Sequence, residues 1–343
     1  KAKGQVGAAY TGFTYSPLAL IVDAVKLSVS SADKSVVAIM ATGSVSIESD
    51  AGAGSRGGAT EVSTLSGTQL ISNALDAAGD NINIVANETS IDAPIRSAGA
   101  VLTIAPVDRD RVIVLGHDEN QIYNSDPLYT DPRFDGALYL TDSSLGNIQD
   151  GFQQVVIGSP AGYNIIQIGD KTTTTDTVIV NNPLVLSVPS LGGAVYIYDN
   201  LLLTGSSSLT VHGSGNTTHI INSDVTAGGN IDYDDSVIIS GNVTIKAGGY
   251  IQVGTTSAHS LNGNSSDPAD SLVLNAGTNI NVRGVVGGVD PFASLKVINK
   301  GADGIIGTAD DAAGAVNVTF DREVTVAGDM TISETGQRNL RPP

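Results

Sequence analysis

An Ala-Gly pair, then one or two small or polar residues, then an apolar residue opening a new β-type run: this pattern recurs along the chain. It reads AAGDNINI at 77–84, AGGNI at 227–231, AGGYI at 247–251, AGTNI at 276–280 and AGDMTI at 327–332. Gly after a strand lets the backbone take φ > 0 and turn sharply, and a small Ala beside it lets a neighbouring backbone lie close. From Ala227 to Ala247 is 20 residues, from Ala247 to Ala276 is 29 and from Ala276 to Ala327 is 51, the mark of a repeat of about 20 residues that carries insertions. One such strand–turn–strand unit cannot bury its apolar face alone, but stacked on copies of itself it builds a continuous core. The expectation is an all-β chain of the β-solenoid type. Tandem Greek-key β-sandwiches are the alternative, and they predict turn signals about every 8–12 residues without the Ala-Gly register.

Short β-branched runs closed by Gly, Asn or Asp support the strand reading, among them KLSV at 26–29, VIVL at 112–115, TVIV at 177–180, SVIIS at 236–240, VTIKA at 243–247 and LVLNA at 272–276. Helical periodicity is nearly absent. Of the 343 residues, 41% are hydrophobic but only 4% aromatic, and 40 are Gly. A core of β-branched residues with few rings suits narrow, regular layers. There is no Cys, so disulfides and thiolate metal sites are excluded.

Acidic residues number 35 against 17 Lys plus Arg, a formal charge of −18. Such a surface repels a phosphate backbone, and the basic residues are scattered or lie beside acids, which excludes nucleic-acid binding. The longest apolar run near the start, PLALIV at 17–22, ends at Asp23 and is too short to span a bilayer. The chain does not begin with Met, and Lys1 to Gly4 and the final RNLRPP are weak caps; the expectation is that further coils, or copies of the chain placed end to end, continue the stack.

The division expected is N-terminal coils or a cap at 1–60, solenoid coils at 61–104, a lateral excursion at 105–152, further solenoid coils at 153–335 and a tail at 336–343. The excursion concentrates charge, two Asp-Pro pairs and several aromatics. Within it Thr141 is placed to N-cap a short helix carrying Leu145 and Ile148, ahead of a strand QQVVIG at 153–158.

The AGGNI and AGTNINV rungs, VTIKAGGYIQV, the block GALYLTDSSLGNIQDGFQQVVIG and the loop GADGIIGTADD together resemble very large bacterial surface proteins of the filamentous haemagglutinin-like adhesin type. The resemblance implies a right-handed parallel β-helix, secreted to the bacterial cell surface. It also implies adhesion or cell-to-cell contact through cell-surface carbohydrate or protein ligands, with no catalytic centre in the rod.

GADGIIGTADD at 301–311 looks like the acidic loops of large secreted bacterial proteins taken to bind calcium, a hard cation that wants six to eight oxygens. Asp303, Asp310 and Asp311 offer carboxylates there. The sequence departs from an EF-hand, and Asp and Gly favour plain turns as well. DYDD at 232–235 offers Asp232, Asp234 and Asp235 as the acid or calcium centre of a polysaccharide-cleaving β-helix. That chemistry needs a second group at fixed distance, for which Lys246 and Arg283 are the nearest candidates; a polar turn is the simpler reading. Tyr123, Tyr129 and Phe134 in the excursion form a candidate contact site for sugar or protein, or pack the loop back onto the rod. His117, His212, His219 and His259 lack zinc-ligand spacing and read as surface residues. The TTTTDT tract at 172–177 reads as a polar loop, and the Asn-x-Ser/Thr triplets at Asn87, Asn216, Asn242, Asn264 and Asn317 carry no weight in a bacterial protein.

Overall fold

The structure is a computed structural model. It describes the backbone of seven strands between residues 20 and 76 and then residues 81–340, apart from 86–87, 93, 107, 118–136, 160, 172–175, 190, 214, 265–268, 300–316 and 335–337. Nearly every described element is a strand, and every ladder is parallel. The Greek-key alternative is built from antiparallel pairs and does not match this topology.

One sheet runs the length of the stack with thirteen strands, from Leu20–Val22 to Arg338–Leu340. An eight-stranded and a seven-stranded sheet accompany it, with a four-stranded and a two-stranded sheet nearer the start. From Gln154 to Leu203 the chain visits the thirteen-, eight- and seven-stranded sheets in turn and then begins again. Each strand therefore pairs with the strand three places later, a pattern consistent with a parallel β-helix, or β-solenoid.

The strand patterns alternate buried and half-buried residues, as period-two side-chain placement requires. In the longest sheet Ile82, Leu102, Val155, Leu184, Leu209, Ile231, Ile251, Ile280 and Val318 stand in one register column. All are buried in a single continuous cluster that reaches Phe320. Burying each such side chain stabilises the stack by roughly 1.5–3 kcal/mol. Tyr233, Phe292 and Phe320 are the largest of its fully buried side chains.

The Ala-Gly register is real over part of the chain. Ala227 pairs with Ala247, and Ala247 with Ala276, in adjacent strands of the seven-stranded sheet. It fails at Ala327: Ala276 pairs with Asn299 and Asn299 with Glu334, so the 51-residue step spans two circuits and Ala327 falls elsewhere in the ladder. The reason for Gly is also more specific than turn formation. A Cβ at Gly228 would overlap the Gly205 carbonyl oxygen, and one at Gly248 the Gly228 carbonyl oxygen. Here Gly serves close approach of successive backbones. The Asn that follows serves a different need: Asn230 Oδ1 accepts the Tyr250 N–H at 3.1 Å, and Asn279 Oδ1 the Asn317 N–H at 3.1 Å. Each satisfies the corner of the next circuit.

Thr141 caps the helix Asp142–Gly146, its hydroxyl accepting the Ser144 N–H at 3.1 Å, and Leu145 and Ile148 are buried. The stretch 105–152 is less of an excursion than its composition suggests. Ile113–Gly116 lies in the eight-stranded sheet between Leu138–Thr141 and Ile165–Ile168, while residues 118–136 lie outside those described. The helix packs against Thr177–Val180, the edge strand of the seven-stranded sheet.

Close approach can be tested directly. Gly228→Ala is expected to cost about 1–3 kcal/mol in urea unfolding, as forced overpacking does. Gly146→Ala, where an added Cβ meets nothing within 4 Å, should stay within about 0.5 kcal/mol of the parent. Equal effects at the two positions would refute the reading of Gly228.

Candidate functional site

Register places charged side chains in columns. Leu115, Ile168 and Ile197 stand at aligned positions at or next to the ends of strands of the eight-stranded sheet, and two residues beyond each stand His117, Asp170 and Asp199. Asp199 reaches past the intervening circuit to His117, whose Nε2 lies 2.7 Å from Asp199 Oδ2. Gly169 makes this possible: its φ is +78°, and a Cβ there would overlap the Asp199 side chain. The Asp170 N–H also donates to Asp199 Oδ2, at 3.3 Å. His117 is 5% exposed and Asp199 0%.

Two further carboxylates complete the cluster. Asp176 precedes the strand Thr177–Val180 and is exposed. One ligand atom each from His117, Asp176 and Asp199 lie within 4.8 Å of one another. Asp142 opens the helix Asp142–Gly146. The hydrogen bond to Asp199 holds the His117 imidazole above its ordinary pKa against the opposing effect of burial, with the charges of Asp199, Asp170 and Asp142 adding to it. Partial desolvation raises Asp142, the charges of Asp176 and Asp199 add to that, and His117 opposes it. His117 Nδ1 and Asp199 Oδ1 are buried without a hydrogen-bond partner. Chemically this is a buried imidazole–carboxylate pair with a mixed nitrogen and oxygen donor set.

The DYDD segment forms a second cluster, which the fold divides. Asp235 points inward, fully buried, and accepts the Thr218 hydroxyl at 3.2 Å. Burial pushes its carboxyl up to about 7, with the Thr218 hydrogen bond opposing. By register Asp235 shares a corner column with Asn164 and Asn216, and those residues bond backbone at the same corner: Asn164 Nδ2 donates to the Arg111 carbonyl at 2.8 Å, and Asn216 Oδ1 accepts the Gly192 N–H at 3.2 Å. Asp232 and Asp234 lie on the outer side, where Asp234 Oδ2 bonds His212 Nδ1. Burial and the neighbouring Asp234 raise Asp232.

The three acids of DYDD therefore do not converge on one centre, and neither do their expected partners. Lys246 stands in the seven-stranded sheet, and Arg283 pairs with Asp321 at 3.2 Å.

Comparison with protein-family models, with curated proteins and with solved structures finds no match. Among the described residues no helix is long and apolar enough to cross a membrane. Asp303, Asp310 and Asp311, expected to hold calcium, and Tyr123, Tyr129 and Phe134, expected to contact ligand, all lie outside the described residues.

The reading of all four His residues as surface groups is corrected at His117, which is buried against Asp199; His219 is partly exposed and stacks on Tyr196 with ring centroids 4.8 Å apart, and desolvation lowers its pKa. The pairing of His117 with Asp199 spans 82 residues, and its one sequence signal is positional. Each member follows a run of apolar residues by the same offset, a coincidence that appears only when the circuits are aligned by strand register.

Asp235 gives a pH-dependent test. An unfolded carboxyl titrates near 4, so between about pH 4 and pH 7 the folded chain keeps a proton that the unfolded chain has released. Stability from this group is fully present below about pH 4 and declines as pH rises through about 7. Asp235→Asn should flatten that slope and raise stability at pH 8 by up to about 4 kcal/mol, read by urea unfolding at a series of pH values. An unchanged slope would mean that Asp235 is solvated.

Proposed function

We propose that this chain is a structural and adhesive segment of an extracellular bacterial surface filament, built as a right-handed parallel β-helix and acting through reach and repeated shallow contacts. The observation that carries the reading is the thirteen-strand parallel ladder from Leu20 to Leu340. At the spacing of paired strands, about 4.8 Å, twelve steps make a stack of roughly 60 Å.

The outward column of that ladder is mostly uncharged. Asn83, Thr103, Val156, Val185, Thr210, Asp232, Gln252, Asn281 and Thr319 stand one above another, each partly exposed. Such a face offers amide and hydroxyl groups, interrupted at Val156 and Val185, to a carbohydrate or protein surface. The net charge of −18 keeps the segment soluble and disfavours non-specific attachment to anionic surfaces.

Small-angle scattering should return an elongated particle at least 60 Å long, the roughly twelve ladder steps just reckoned. Beads coated with the chain should adhere to cultured cells, and free chain should compete. A compact particle, or adhesion no greater than that of albumin-coated beads, would reject the proposal.

A second reading, polysaccharide binding or cleavage, has one observation in its favour: the His212–Asp234 pair and Asp232 share the outer side of the stack, with the Tyr250 phenol raised first by burial and then by both carboxylates. Incubation with acidic polysaccharides decides it. Release of reducing or unsaturated ends that disappears in Asp232→Asn supports cleavage. No release, or release that survives the substitution, removes it.

A further inference from the structure

We infer that the stack holds one divalent transition-metal ion of the zinc class, ligated by His117, Asp176 and Asp199 and joining three successive circuits. The three side chains already bring one ligand atom each within 4.8 Å of one another. What separates this cluster from an ordinary acidic surface is its burial and its unmet valence. His117 and Asp199 are 5% and 0% exposed, yet His117 Nδ1 and Asp199 Oδ1 have no hydrogen-bond partner. A buried polar atom left unpaired costs about 1–3 kcal/mol, more when charged. The charged groups that face the imidazole are the carboxylates of Asp199, Asp170 and Asp142, and Asp142 also faces Asp176 and Asp199. A cation held by both oxygens of Asp199 takes up the free Oδ1 and offsets the mutual repulsion of these acids, while His117 Nδ1, across the ring from the ligating Nε2, stays outside the site.

The donor set selects the class of ion. A site of carboxylates and carbonyls suits calcium or magnesium, whereas an imidazole nitrogen among carboxylates suits zinc and its neighbours. Zinc binds nitrogen and oxygen at about 2.0–2.2 Å in a tetrahedral set, which places neighbouring ligand atoms roughly 3.3 Å apart. The 2.7 Å separation of His117 Nε2 and Asp199 Oδ2 must then open by about half an ångström. Asp199 lies over Gly169, where no Cβ resists that shift. Three protein ligands leave a fourth position, open to water or to a further carboxylate such as Asp142 at the start of its helix, whose charge couples to His117 and Asp199.

His117 belongs to the circuit of Ile113–Gly116, Asp176 to that of Thr177–Val180 and Asp199 to that of Ala194–Ile197. An ion there forms a cross-link that exists only in the folded stack, so it must raise the unfolding midpoint.

The test uses the whole chain stripped with chelator, titrated with cobalt(II) and zinc(II) and followed by equilibrium dialysis, visible absorption and thermal unfolding. The expected result is one equivalent of metal per chain, cobalt bands typical of four-coordinate nitrogen and oxygen ligation that zinc abolishes, and a higher midpoint with metal. Asp176→Asn is the informative variant, because that residue is exposed and the fold should survive, as circular dichroism will verify. Loss of an outer-sphere partner already costs about tenfold in affinity, so loss of this ligand should weaken zinc binding at least that much and remove the midpoint rise.

Metal binding that Asp176→Asn leaves unchanged would overturn the assignment. So would substoichiometric uptake, or calcium binding without any cobalt spectrum, and each would leave His117 and Asp199 as a simple buried ion pair.

Discussion

The parallel hydrogen-bond ladder between successive circuits is the constraint on which the rest of this molecule depends. It fixes each circuit about 4.8 Å above the last, so whatever stands at a corner meets the residue at the same corner one circuit away. Backbone groups at the corners lie outside the strands and still need partners. The chain meets that need by column. Asn81 accepts the Val101 N–H, Ser208 the Asn230 N–H, and Asn230 the Tyr250 N–H, at 2.9, 2.9 and 3.1 Å. Where two backbones must nearly touch, the column carries Gly instead, as at Gly228 and Gly248. Small polar residues and Gly are abundant in this sequence because a stack has many corners and each corner repeats.

The same rule explains why the His117 column is unusual. Stacking identical ionised groups at strand spacing is unfavourable, and the column opens with His117, Asp170 and Asp199. The next two register positions are Asn222 and Gly241, so charge falls away along the stack. Asn222 takes a positive φ of 49° at its corner, a backbone state that Asn tolerates better than most residues. Within the charged part, pairing of His117 with Asp199 across the Gly169 gap satisfies one imidazole nitrogen and one carboxylate oxygen and leaves the other two atoms bare. At other corners side chains bond the backbone, whether neutral as at Asn230, which accepts the Tyr250 N–H, or acidic as at Asp270, whose Oδ1 accepts the Gly241 N–H at 2.6 Å. Here the corner chemistry is charged and incomplete.

Much of the architecture was legible in the sequence. Alternation of apolar and polar residues marked strands such as Ser236–Ser240 and Ser271–Ala276 to within a residue or two, and Thr141 marked its helix. Circuit length was legible only where insertions are few. In the longest sheet, partners step from Leu184 to Leu209, Ile231, Ile251, Ile280 and Val318, intervals of 25, 22, 20, 29 and 38 residues. Ala227, Ala247 and Ala276 sit in the regular part and keep register; Ala327 lies beyond the long interval and does not. The His117 cluster was illegible for the same reason. Its ligands are brought together by two circuits of uneven length, and spacing along the chain says nothing until strand pairing has been fixed.

Stability in a stack of this kind is close to a sum of nearest-neighbour terms, so its weakest place is where neighbours stop matching. The four-stranded sheet ends at Glu88–Ile91, the eight-stranded sheet begins at Leu138–Thr141, and the seven-stranded sheet begins at Thr177–Val180 against the helix Asp142–Gly146. Among the described residues, only the thirteen-strand ladder crosses this junction unbroken. His117, Asp142 and Asp176 all lie at it, and Asp199 reaches back toward it from the second circuit that visits all three sheets. A link placed elsewhere would reinforce circuits already held on three sides by ladders, whereas one placed here ties the regular stack to the successive circuits at which its second and third sheets start. The charged corner therefore stands where an added tie has the most to hold together.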